Sequence, residues 1–160
     1  DKADKYRYKH IVDAFSFIPY GTIVDEFQHI VYENPDLTPA ERDAEYLKLE
    51  KKYRPYLSFE GIPYLEKGTR WQYQMHIYES PFYYIDYCLA QCVALGFLGL
   101  SRADFADALD KYLTFLRATG SVSFGELVEG AGLKPPFEAG ALKEIAASSA
   151  EVIREVEKKI

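Results

Sequence analysis

The stretch "SPFYYIDYCLAQCVALGFL" (residues 80–98) decides how the fold is read. Ser80 followed by Pro81 is a helix-start signal: a hydroxyl can accept from the unpaired N–H groups of a first turn, and proline at the first helical position gives up no hydrogen bond. Beyond it, apolar and aromatic side chains fill nearly every position around the helix circumference, the pattern of a helix covered on all sides. The spacing predicts a helix from Ser80 to about Leu98 at the centre of an all-α fold.

Working outward from it, helical signals recur in both directions. "SRADFADALDKYLTFLRATG" (residues 101–120) opens with Ser101 as cap and Asp104 three positions on. It carries an apolar stripe at Phe105, Leu109, Tyr112, Leu113 and Leu116, and stops at Gly120. Ser123 and Glu126 form a capping box, and a last amphipathic helix is expected over residues 137–158. On the N-terminal side, Ile11, Ala14, Phe15, Ile18, Ile23, Phe27, Ile30 and Val31 recur at helical intervals. Pro19 and Gly21 interrupt that series and predict two helices or one kinked helix. Thr38, Pro39 and Glu41 open a charged helix that runs to about Tyr53. Residues 55–68 read as an ordered loop, and residues 69–79 resume helical spacing. No segment alternates with period two over a useful length, so no strand is expected. The whole of residues 1–160 reads as a single helical domain.

Composition narrows the function classes. The chain has 160 residues, enough for a sizeable core, with 48% hydrophobic and 28% charged residues, the balance of a folded protein. A formal net charge of -6 lacks the basic footprint that nucleic acid or anionic lipid would require, so neither is expected as a partner. The longest uncharged run, from Tyr87 to Ser101, falls short of the roughly 20 residues needed to span a bilayer. Cysteine is limited to Cys88 and Cys92, which form no disulfide framework and suit a reducing cytoplasm. The opening "DKADKYRYKH" has neither an initiator Met nor an apolar signal segment, and reads as a piece of a longer chain.

The candidate chemistry is sparse. Glu26 and His29 share a helical face as in a di-iron bundle, but no second E-x-x-H accompanies them, so a polar helix edge is the better reading. With His10, His29 and His76 as the histidines, H-E-x-x-H is absent and no zinc motif stands in this sequence. Cys88 and Cys92 lie four apart without further ligands and read as small buried thiols. No G-x-S-x-G elbow occurs. What remains is "HIYESPFYYIDY" (residues 76–87), within a chain of 16% aromatic residues and 14 Tyr. On a helix, Tyr84 and Tyr87 stand three apart and Tyr83 and Tyr87 four apart, so their hydroxyls can point one way. A buried phenol needs a partner, and Tyr and His are apt donors toward a developing oxyanion. Core packing and a pocket wall both fit this composition.

The wording of three long strings adds a further observation. "FIPYGTIVDEFQHIVYENPDLTPAER" (17–42), "RWQYQMHIYESPFYYIDYCLAQ" (70–91) and "SFGELVEGAGLKPPFEAGALKEI" (123–145) resemble the C-terminal region of oligoendopeptidase F, a zinc metallopeptidase family of the M3 type. The resemblance covers essentially the whole chain in order, apart from residues 58–62. It implies a mostly helical enzyme in which H-E-x-x-H and a further glutamate hold zinc, all upstream of Asp1. This segment would supply the facing wall of the cleft and no metal ligand, and would be inactive alone. The match implies His76 as a donor histidine, Tyr87 as oxyanion donor and Tyr84 as a contact to the substrate backbone, with Tyr83 also substrate-binding. "IYESPF" stands where other M3 relatives have a glycine-rich loop. The implied partners are an oligopeptide substrate and the upstream part of the same polypeptide. A stand-alone helical peptide-binding module is the reading from a different class.

Overall fold

A computed structural model of the chain describes residues 2–160, and among these the fold is all-α. Helix α1 (Lys2–Glu33) is followed by α2 (Pro39–Tyr53), α3 (Pro63–Glu66), a 3-10 turn (Thr69–Tyr73), α4 (Met75–Glu79), α5 (Ile85–Ala103), α6 (Phe105–Ala118), α7 (Phe124–Gly130) and α8 (Ala141–Glu157). No helix is long and apolar enough to cross a membrane among the described residues.

Contacts within the chain gather into two units, Ser16–Cys88 and Asp1–Phe15 with Leu89–Ile160. In the first, one face of α1 contributes Ile23, Val24 and Phe27, α2 contributes Tyr46 and Leu49, and α4 contributes Ile77. The Phe27 ring meets Tyr46 edge-on at 5.2 Å and Trp71 at 5.2 Å, contacts that add to simple area burial. Trp71 donates its indole N–H to Asp43 at 2.8 Å, which ties the 3-10 turn to α2. Gly68 has φ +81, and a Cβ there would stand 2.0 Å from the Asp43 carbonyl oxygen, so glycine is required at that approach. In the second unit, Ile11, Val152 and Val156 form a buried cluster with Tyr8, Leu98 and Ile153 packed on it.

Several boundaries differ from the sequence expectation. Residues 2–33 form one helix through Pro19, so the alternative of two helices falls. The proline has no N–H to give the Phe15 carbonyl, and the division between the units falls at Phe15 and Ser16. The helix expected from Ser80 begins at Ile85 instead, with Tyr83 and Tyr84 in the preceding turn. Its burial is concentrated at Cys88, Cys92, Val93 and Leu95, while Ala90 and Ala94 are exposed, so it is not covered on all sides. Asp104, not Ser101, caps α6 by accepting from the Asp107 N–H at 3.1 Å. Ser101 lies in the last turn of α5 and donates back to the Leu98 carbonyl. Aspartate wins because it accepts at a helix N-terminus with a full negative charge. The last helix starts at Ala141, since Gly140 at φ +88 leaves helical geometry just before it. Both predicted capping boxes, Thr38 with Glu41 and Ser123 with Glu126, are formed. The apolar stripe of α6 is largely exposed at Phe105, Leu109, Tyr112, Leu113 and Leu116.

Candidate functional site

The turn that carries the tyrosines is shaped by one residue in an unusual conformation. Phe82 has φ +62, in the left-handed region that a bulky side chain seldom adopts. Three contacts hold it there. Its N–H donates to Gln28 Oε1 at 2.8 Å, and its ring lies between His29 and Tyr32, each at 4.9 Å. Gln28 is fully buried on α1, and its amide nitrogen donates to the Val24 carbonyl at 3.1 Å. The chain then closes toward α5 through short turns, with the Asp86 N–H donating to Tyr83 O at 3.1 Å and the Tyr87 N–H to Tyr84 O at 3.3 Å. Tyr84 and Tyr87 are therefore brought together by a turn that leads into a helix, whereas the spacing had predicted both on one helix, three residues apart.

The four residues singled out from the sequence lie in one aromatic cluster. His76 meets Tyr84 at 4.8 Å and Tyr87 at 5.8 Å, both edge-on. Tyr84 meets Tyr87 at 5.4 Å, and Tyr83 meets Tyr87 at 5.3 Å. Tyr84 is the half-buried member, with Phe17 at 5.7 Å and Tyr20 at 6.0 Å against its ring. Tyr87 and Tyr83 stay 41% and 49% exposed, so their hydroxyl ends can reach a bound molecule. Burial, with a smaller contribution from Tyr20, pushes the Tyr84 phenol up to about 12. Tyr87 is also raised, by partial desolvation first and then by its neighbour Tyr83. Both phenols hold their protons at neutral pH and are donors. Tyr78 does not join them: it stacks on Trp71 at 6.0 Å.

Close approach of α1 makes this cluster possible. Gly21 lies against Cys88, and a Cβ added there would stand 2.1 Å from Cys88 Sγ and 3.7 Å from the Tyr84 ring. The Cys88 thiol donates to the Ile18 carbonyl at 3.7 Å, beside the break in hydrogen bonding that Pro19 creates.

Three further residues surround the site and carried no motif in the sequence. Gln28 is one. Gln74 and Tyr20 are the others: Tyr20 donates its hydroxyl to Gln74 Oε1 at 2.6 Å, and Gln74 Nε2 lies 2.7 Å from His76 Nδ1. A glutamine two positions before a histidine, in "QMH", was the available signal, but its partner on α1 is 54 positions away in sequence.

No group of three or more His, Cys, Asp or Glu side chains is placed to hold an ion among the described residues. Glu26 is engaged by Lys52 at 2.8 Å and by Tyr53, whereas His29 turns toward Asp25 at 3.6 Å, so the E-x-x-H pair has separate partners. Burial pushes the Cys92 thiol up to about 11, which disfavours the thiolate a metal would need.

Comparison with known proteins decides the relationship. The family model described as peptidase family M3 matches residues 1–147. The chain belongs to peptidase family M3. A solved structure named as an oligoendopeptidase F superimposes with TM-score 0.88 at 47% identity, covering 95% of this chain and 27% of that one. PZ peptidase A, solved with an inhibitor, gives TM-score 0.88 at 46% identity over 96% of this chain and 27% of its own. An oligoendopeptidase F structure from Bacillus anthracis str. Ames gives TM-score 0.74 at 38% identity over 96% of this chain and 24% of its own. This M3 chain therefore spans about a quarter of the length of the structures it matches. No curated protein matches it significantly.

Proposed function

We propose that this chain is the part of an M3 oligoendopeptidase that forms the hydrogen-bonding wall against which an oligopeptide lies while an internal bond is cut. The edge-on cluster of His76, Tyr83, Tyr84 and Tyr87 carries this reading, because it gathers donors without formal negative charge on one partly exposed surface. An anionic tetrahedral species is stabilised by donors already fixed in place, since little reorganisation is needed as charge develops. In this role Tyr87 donates to the oxyanion, Tyr84 and Tyr83 contact the peptide, and His76 adds a second donor.

Zinc, implied by the resemblance, polarises a carbonyl and activates water where it is bound. By the same resemblance, its ligands would lie in the upstream part of the polypeptide. Two cysteines with no disulfide framework suit a reducing cytoplasm as the compartment, and on its own the chain is expected to be inactive.

Tyr87→Phe in the complete enzyme tests the assignment. We expect kcat to fall roughly 100- to 1000-fold, the usual cost of one oxyanion donor, with metal content unchanged. An unchanged kcat overturns the role.

A further inference from the structure

We propose that Gln74 and Tyr20 act as positioning residues that hold the His76 ring with its hydrogen on Nε2, presenting that N–H as the donor. The relay rests on the functional reading above for its purpose, but its geometry stands apart from it. Tyr20, on α1, donates to Gln74 Oε1 at 2.6 Å, and the same amide places Nε2 2.7 Å from His76 Nδ1. An amide NH2 can only donate, so Nδ1 has to accept, and in the neutral ring the hydrogen is left on Nε2.

The opposite arrangement would turn the amide over, with Tyr20 accepting and Nδ1–H donating. Tyr20's surroundings disfavour it. The Arg54 guanidinium stands 5.0 Å and the Arg70 guanidinium 5.1 Å from the Tyr20 ring centroid. Two cations over one phenol draw density from the ring, which makes its O–H a stronger donor and its oxygen a weaker acceptor. Arg54 is itself fixed, buried and paired with buried Glu50, where its Nε donates at 2.8 Å. A chain of groups thus runs from a buried ion pair, through a tyrosine and an amide, to the histidine beside Tyr84 and Tyr87.

The test uses the full-length enzyme. With ¹⁵N-labelled histidine and the His76 resonances assigned by their loss in His76→Gln, we expect the hydrogen on Nε2 in the wild type, and a mixture of tautomers in Gln74→Met and Tyr20→Phe. Hydrogen on Nδ1 in the wild type overturns the relay, whether or not any variant folds. Kinetically, Gln74→Met should lower kcat roughly 10-fold, as loss of an outer partner of a functional histidine does, with KM changed far less. In a His76→Phe background the same substitution should have no further effect, because groups that act as a unit are not additive. A loss that persists undiminished in that background, or an unchanged kcat in Gln74→Met, overturns the positioning role. If His76→Phe alone leaves kcat unchanged, the functional reading of His76 fails instead, while the tautomer measurement still judges the relay.

Discussion

Phe82 shows how one residue sets the geometry of the tyrosine cluster. Holding a bulky L side chain at φ +62 costs on the order of 1–2 kcal/mol, and the Gln28 hydrogen bond with the His29 and Tyr32 contacts offsets it. Gln28→Leu would keep most of the volume on α1 but leave the Phe82 N–H and the turn without their anchor. We expect it to destabilise the full-length enzyme by about 0.5–1.5 kcal/mol, the net worth of one part-buried hydrogen bond, and to lower kcat. Thermal unfolding and steady-state kinetics check this, and a wild-type Tm with wild-type kcat would show that the anchor is dispensable. His76, Tyr83, Tyr84 and Tyr87 could be named from sequence because their residue types and close spacing, and the resemblance, all fall within one string. Gln28, Gln74 and Tyr20 could not, since each acts through a partner far along the chain.

At the scale of the element, α1 and the start of α5 matter most. Pro19 reads as a breaker, yet the helix continues, because one missing hydrogen bond is tolerated when the flanking turns are packed. Thr22 Oγ donates to the Ile18 carbonyl at 2.9 Å beside it. Gly21 is there because α1 approaches Cys88 too closely for any side chain, not because the helix ends. Gly21→Ala should therefore cost about 1–3 kcal/mol through overpacking, although alanine favours helix elsewhere. A raised Tm in that variant would contradict the close approach, and pairing it with Cys88→Ala should recover part of the loss. The capping boxes were legible because each is complete within four residues. The start of α5 was not: Ser80 and Pro81 look like a cap and first turn, but Phe82 leaves helical geometry because Gln28 captures its N–H.

For the whole molecule, buried phenols give a pH signature. Tyr84 rises from 10.0 to about 12, and the fully buried Tyr46 is raised further still, in both cases chiefly by burial. A group whose folded value is raised contributes stability that is complete below its unfolded value and is lost as pH rises toward the folded one. Stability should accordingly hold steady up to about pH 10 and fall between pH 10 and 12. Tm measured across that window checks it, and Tyr84→Phe should flatten the decline; a decline equally steep in that variant would assign it to other groups. The exposed apolar face of α6 belongs to this scale too. An amphipathic pattern shows that a face is apolar, but not which other segment it meets.

The sequence by itself determined the helical class, the caps, the acidic balance and the string that holds the aromatic cluster. These follow from periodicity and from contacts within a few residues, which the order of side chains makes visible. Only the tertiary structure decided where α5 begins, why position 21 is glycine, and that Tyr20 reaches Gln74, which in turn meets His76. Those depend on α1 lying against a turn some 50 to 70 positions away in the chain, and local pattern carries no record of which distant partners will compete for an N–H or a carbonyl.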